Sequence, residues 1–287
     1  MKAKVITGIL GAVFGITMLA LQFTFVFPIA VAFFTFMANF ELLHSTGVRN
    51  KGILALTSVP AAAMPFIARY DLLQYVPIPT EALLFLYVFV LLVMMLAAYE
   101  KTRFEHVSMA LVSSLLVPYT ISLLIKIQRF FPDAPRSTQA YLMLFALICA
   151  WITDTMAYFF GVRFGKHKMS PKISPKKSWE GAIGGVFGTV VIQFAIYGVY
   201  FALYKFGLIQ RLLCPVWLVP ILSIPLSVIS MLGDLSASVI KRNYGIKDYG
   251  TIMGEGNGGV MDRFDSAIFV LGGMYTCMLI YRAVTMA

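Results

Sequence analysis

Between Gly233 and Ser266 the chain gathers four aspartates (Asp234, Asp248, Asp262, Asp265), Glu255, four cations (Lys241, Arg242, Lys247, Arg263) and a cluster of glycines. If the segment around Asp234 is helical, Asp234, Ser238, Lys241 and Arg242 fall at i, i+4, i+7 and i+8, on one face. A carboxylate, a hydroxyl and two cations then line one wall. Asp262, Asp265 and Ser266 fall at i, i+3 and i+4, so a helix starting after the glycines presents two carboxylates together. Gly254, Gly256, Gly258 and Gly259 permit positive φ and let backbone amides approach a ligand closely. The chemistry these residue types support is a divalent metal held by hard oxygen ligands beside phosphate held by cations and amides.

Such a segment has to be positioned by its surroundings, and these are apolar. Of 287 residues 60% are hydrophobic and only 13% charged, with a mean hydropathy of +0.84. A soluble domain has about a quarter of its residues charged, so composition excludes that class and predicts an all-α polytopic membrane protein. A hydrocarbon core about 30 Å thick needs about 20 apolar residues per helix. Nine runs satisfy this, near 5–21, 23–43, 52–68, 80–99, 106–125, 139–161, 181–204, 212–233 and 264–283. Lys2 and Lys4 precede the first run, but no small-residue cleavage site follows, so it is expected to be an uncleaved helix. Cys149, Cys214 and Cys277 fall inside spans without metal-type spacing and are expected to be packing residues.

Assigned to sides, the charges orient the chain. Lys2, Lys4, Arg49, Lys51, Lys101, Arg103, six cations between Arg163 and Lys177, and Lys241, Arg242, Lys247 and Arg263 share the side of the N-terminus. That is 16 of the 23 Lys and Arg. The positive-inside rule puts this side in the cytoplasm and the C-terminus outside. Both polar segments, 162–180 and 234–263, are then expected on the cytoplasmic face of a multi-pass cell-membrane protein, where nucleotides and Mg²⁺ are available.

Residues 1–135 are expected to form N-terminal scaffold helices, because their spans carry almost no ionisable groups; residues 136–287 are expected to form the catalytic region. In the sixth span Asp154 interrupts an apolar run, which marks a functional site or a helix–helix ion pair. Next comes the longest basic loop, with an internal echo: Ser170-Pro171-Lys172, then Ser174-Pro175-Lys176. It is either a lipid-headgroup contact or a lysine-bearing flap stiffened by proline, and Glu180 stands where the seventh span begins. Gly181, Gly184, Gly185 and Gly188 follow at spacings suited to close helix packing. Asp154 ends span six, Glu180 begins seven, Asp234 ends eight, and Asp262 and Asp265 begin nine. Unrelated ion pairs would be scattered across both leaflets instead.

These residues resemble a known family. Ser238-Val-Ile-Lys241-Arg242, Lys247-Asp248 and Gly258-Gly259-Val-Met-Asp262-Arg263-Phe-Asp265 are similar to the signature of the phosphatidate cytidylyltransferases, or CDP-diacylglycerol synthases. Asp154 to Gly165 and Ser174 to Gly181 also resemble that family's patterns. The resemblance covers about 150–270. It departs at Asn257, where the family usually has His, and in a spacer one residue longer after Asp248.

The resemblance implies an integral-membrane enzyme that joins CTP to phosphatidate, releasing pyrophosphate and CDP-diacylglycerol. The lipid phosphate is already an anionic nucleophile, so the enzyme has to bring two polyanions together and stabilise charge on the α-phosphate and leaving group. It implies Mg²⁺, one ion or two cations, on Asp234, Asp262 and Asp265. Lys241, Arg242 and Arg263 are expected on phosphate, Lys176 and Lys177 closing from the loop. Ser174, Lys247, Asp248, Glu180 and Asp154 are expected to contact nucleotide or orient lysines. Expected partners are CTP, phosphatidate and membrane lipids, with no nucleic acid and a homodimer left open. Two alternatives remain: a CTP-dependent polyprenol or phytol kinase, in which a lipid hydroxyl attacks the γ-phosphate, and an ion-coupled transporter.

Overall fold

The computed structural model describes residues 15–209, 215–250 and 258–286, and it is almost wholly helical. Eight helices among these residues are long and apolar enough to cross a membrane: α1 (Val26–Ser45), α2 (Lys51–Tyr70), α3 (Thr80–Ala97), α4 (Phe104–Gln128), α5 (Arg136–Phe164), α6 (Trp179–Lys205), α7 (Leu218–Asn243) and α8 (Met261–Met286). They match the second to ninth expected spans. Of the first, residues 15–21 are helical and the remainder, with Lys2 and Lys4, lies outside the described residues. Cys214 also lies outside them; Cys149 is buried and Cys277 half-buried.

Local chemistry sets where helices start. The Asn50 side chain accepts hydrogen bonds from the amides of Gly52 (3.0 Å) and Ile53 (3.3 Å), so it caps α2. Ser178 caps α6 by accepting from the Gly181 amide at 3.2 Å. Propensity does not make α3: only Leu91 is buried on it, while Phe85, Leu86, Phe89 and Leu96 are exposed. A helix apolar all round and packed on so little protein is suited to lipid.

The chain divides into two compact units, residues 1–125 with 246–263, and residues 126–245 with 264–287. In the first, α1 packs along α2, and Leu42, Leu43, Ile53, Leu91, Ile121 and Ile125 form the innermost core. A π-helical turn over Val112–Leu116 interrupts α4, and the Tyr87 hydroxyl meets Ser114 Oγ there at 2.6 Å.

In the second unit, α5 and α6 pack extensively along one another. The glycines explain it. A Cβ at Gly181 would stand 2.7 Å from the Ala157 carbonyl oxygen, and one at Gly185 would stand 3.0 Å from that of Thr153. The expected small-residue packing is what the structure has. Buried polar links add to the apolar seam: Thr153 Oγ1 and Thr189 Oγ1 are 2.9 Å apart, and Ser230 Oγ donates to the Ala150 carbonyl at 3.2 Å.

Between α5 and α6 the basic loop forms a two-stranded antiparallel hairpin, β1 (Lys168–Ser170) and β2 (Ser174–Ser178). The sequence echo is its register, since Ser170 pairs with Ser174 and Lys168 with Ser178. Pro171 opens the turn, where a fixed φ and a missing N–H are tolerated. The stiffened loop expected from the prolines is therefore a hairpin, the only strands among the described residues.

Candidate functional site

The second unit brings six of the singled-out residues into one polar cluster. α7 runs helical to Asn243, so Asp234, Ser238, Lys241 and Arg242 do share a face. Lys177 on β2 places its Nζ 2.6 Å from Asp234 Oδ2. About two turns further along α7, Lys241 Nζ stands 3.4 Å from Asp265 Oδ2 on α8. Both members of that pair are nearly closed to solvent, Lys241 being 9% exposed and Asp265 8%. The second oxygen of Asp265 accepts from the Ser266 amide at 2.8 Å, and Ser266 Oγ donates to Asp154 Oδ2 on α5, also at 2.8 Å. Asp154 lies within electrostatic reach of Asp234, Asp265 and Lys177. Three carboxylates and two ammonium groups, from three helices and a strand, thus meet at one level of the unit. Gly233 makes room for the approach of α7 and α8: a Cβ there would stand 2.8 Å from the Phe269 ring.

The hairpin is fixed at both ends. At its base the Glu180 carboxylate accepts from the amides of Lys166 (3.1 Å) and His167 (3.2 Å), and His167 Nδ1 lies 2.6 Å from its Oε1. At its turn Arg242 Nε donates to the Ile173 carbonyl at 3.3 Å. Glu180 therefore serves the hairpin backbone, apart from the network of Asp154, Asp234 and Asp265. Ser174 is half-buried in the strand pairing and Lys176 is exposed.

The remaining expected residues belong to the first unit. Asp262, at the start of α8, accepts at Oδ2 from the amides of Tyr249 and Gly259, each at 2.9 Å. It draws together the two described ends of the glycine segment. Lys247, Asp248 and Arg263 are exposed. Gly254, Glu255, Gly256 and Asn257 lie outside the described residues.

One acid here was passed over when residues 1–135 were read as scaffold. Glu41 on α1 is 2% exposed, and its Oε2 accepts from the Met261 amide, the first of α8, at 2.9 Å. A signal existed, since Glu41 is a carboxylate inside an apolar run, the same mark that singled out Asp154.

Carboxylate oxygens are the donors a hard divalent cation takes, and Asp154, Asp234 and Asp265 supply them in one unit. As the side chains stand, however, no group of three or more His, Cys, Asp or Glu among the described residues is spaced to hold a metal ion. Ammonium groups lie against Asp234 and Asp265 in the position of counter-cations. The donor set fits such an ion; the geometry is that of carboxylates already neutralised by lysine.

Comparison with known proteins adds a family. A model described as the cytidylyltransferase family matches residues 2–281. Curated relatives include the phosphatidate cytidylyltransferase of Staphylococcus aureus (strain COL), 42% identical over 136 residues, 47% of this chain and 48% of the relative. That of Staphylococcus haemolyticus (strain JCSC1435) is 41% identical over 138 residues, 48% of this chain and 49% of the relative. The match thus spans about half the length of the curated relatives.

Proposed function

The chain belongs to the cytidylyltransferase family, and from that premise we propose that it is an integral-membrane nucleotidyltransferase making CDP-diacylglycerol and pyrophosphate from CTP and phosphatidate. The observation that carries this reading is the network of Asp154, Asp234 and Asp265 with Lys177 and Lys241. A phosphate oxygen of the lipid bonds to the CTP α-phosphorus as the bond from that phosphorus to the bridging oxygen breaks, and pyrophosphate leaves with the electron pair. No strong base is needed, because the lipid phosphate is already ionised. The work is to hold two polyanions and to offset their charge.

Mg²⁺ is the cation proposed for Asp234 and Asp265, with Asp154 in reach, and when bound it supplies charge neutralisation at phosphate oxygens. Lys177 and Lys241 are proposed as phosphate contacts. Arg242 and Lys176 extend the same positive edge, and Lys177 arrives on a hairpin whose position Glu180 and Arg242 fix. Lys247, Asp248 and Arg263 are proposed to face nucleotide, on the cytoplasmic side given by the distribution of Lys and Arg. One substrate is anchored by acyl chains and the other is dissolved, so a site at a helix-end level meets both.

The test uses purified full-length protein, Mg²⁺, phosphatidate vesicles and CTP labelled in the cytidine ring. Thin-layer separation of the lipid extract should show label migrating as CDP-diacylglycerol, abolished by chelator. Unlabelled lipid, or label only in water-soluble products, would reject the reading.

A further inference from the structure

Glu41 sits on α1, in the half of the sequence that carries little other charge, yet none of its burial is apolar packing alone. It is 2% exposed, its Oε2 accepts from Met261 N at 2.9 Å, and among the described residues Oε1 accepts no hydrogen bond. A buried carboxylate is costly unless hydrogen bonds or opposite charge compensate it. The compensation here is backbone: Met261 N–H is one of the amides that the first turn of α8 leaves unpaired, at the positive end of that helix.

Two glycines admit the carboxylate. A Cβ at Gly259 would stand 2.5 Å from Glu41 Cδ, and one at Gly250 would stand 2.6 Å from Oε1. Any side chain at either position would displace Glu41. Asp262 grips the same two strands of backbone, through Tyr249 N and Gly259 N. Residues 249–250 and 259–261 are therefore held by one acid from within the signature and one from 220 residues away.

We propose that Glu41 is a positioning residue: an interhelical cap that fixes the backbone at Gly250 and Gly259, and the first turn of α8, and so the orientation of Asp262. It acts through that backbone and touches no substrate. Its consequence for turnover rests on the nucleotidyltransferase reading; its consequence for the segment does not.

The experiment pairs steady-state kinetics with limited trypsin digestion of the full chain in detergent, following cleavage after the exposed Lys247 against cleavage after the exposed Lys176 in the hairpin. In Glu41→Ala, turnover should fall about tenfold or more. Cleavage after Lys247 should quicken about fivefold relative to Lys176, because a local opening has been made easier. Glu41→Gln, which keeps an oxygen for the Met261 amide, should lie closer to wild type on both scales. If Glu41→Ala cannot be purified folded, Gly259→Ala replaces it, since its Cβ evicts the carboxylate, and the same quickening is expected. A Lys247 cleavage rate within about twofold of wild type in the disrupting variant overturns the proposal, whatever turnover does. Wild-type protein that makes no CDP-diacylglycerol yet shows the quickening in Glu41→Ala would reject the activity and keep the cap.

Discussion

Asp265 and Lys241 are each about nine-tenths closed to water and face one another at 3.4 Å. Changing Asp265 to Asn keeps the shape and the oxygen that accepts from Ser266 N, but removes the charge. Turnover should fall by about two orders of magnitude, as expected where an electrostatic group acts on phosphoryl chemistry. The protein should still purify folded, because Asn keeps the side-chain volume and an oxygen for the Ser266 amide. Near-normal turnover in Asp265→Asn would remove Asp265 from the proposed chemistry. Lys177→Met leaves Asp234 without its ammonium partner while preserving most side-chain volume; kcat/KM for CTP should fall about tenfold or more if the lysine meets phosphate. An unchanged value would make that ion pair structural. Asp265 and Lys241 were legible in the sequence because both are charged residues at helical spacing in an apolar chain. Glu41 was not paired with Met261 beforehand, since its partner is a backbone amide that leaves no side-chain code.

At the scale of elements, hydropathy located the membrane crossings but not the helix lengths. The eighth span was expected to end at 233, yet α7 continues to Asn243. The extra turns carry Lys241 and Arg242 beyond the apolar stretch, where hydropathy falls although the backbone stays helical. The hairpin was foreseen only as a stiff loop, because three- and five-residue strands carry too little periodicity to be recognised; the repeated Ser-Pro-Lys is visible as register only once Ser170 and Ser174 are paired. Two outcomes follow from packing. Gly185→Leu must push α6 away from Thr153 and Ala157, and overpacking of this kind destabilises by about 1–3 kcal/mol; a thermal-stability measurement in detergent should show a lowered midpoint, and an unchanged one would contradict the close approach. Glu180→Ala should free the hairpin base and hasten trypsin cleavage after Lys172 and Lys176, since three hydrogen bonds to the carboxylate end together.

For the molecule as a whole, the distribution of Lys and Arg predicts that the hairpin turn faces the cytoplasm. A cysteine at the exposed Lys172, in an otherwise cysteine-free background, should react with a membrane-impermeant maleimide only after cells are opened. Labelling in intact cells would invert the topology. In the second unit Asp154, Asp234 and Asp265, singled out by type and spacing, lie beside Lys177, Lys241 and Ser266, whereas Glu180, expected at the same level, serves the hairpin backbone instead. The first unit was less legible, because residues 246–263 pack with 1–125, a long-range association that local composition does not encode.

The most direct test is the fate of the two ends of the CTP triphosphate, followed with phosphatidate in wild type and in Asp265→Asn. Label at the α-phosphate should enter the lipid, label at the γ-phosphate should leave as pyrophosphate, and Asp265→Asn should slow both by about two orders of magnitude. Transfer of the γ-label to lipid, or incorporation undiminished in Asp265→Asn, would contradict the account.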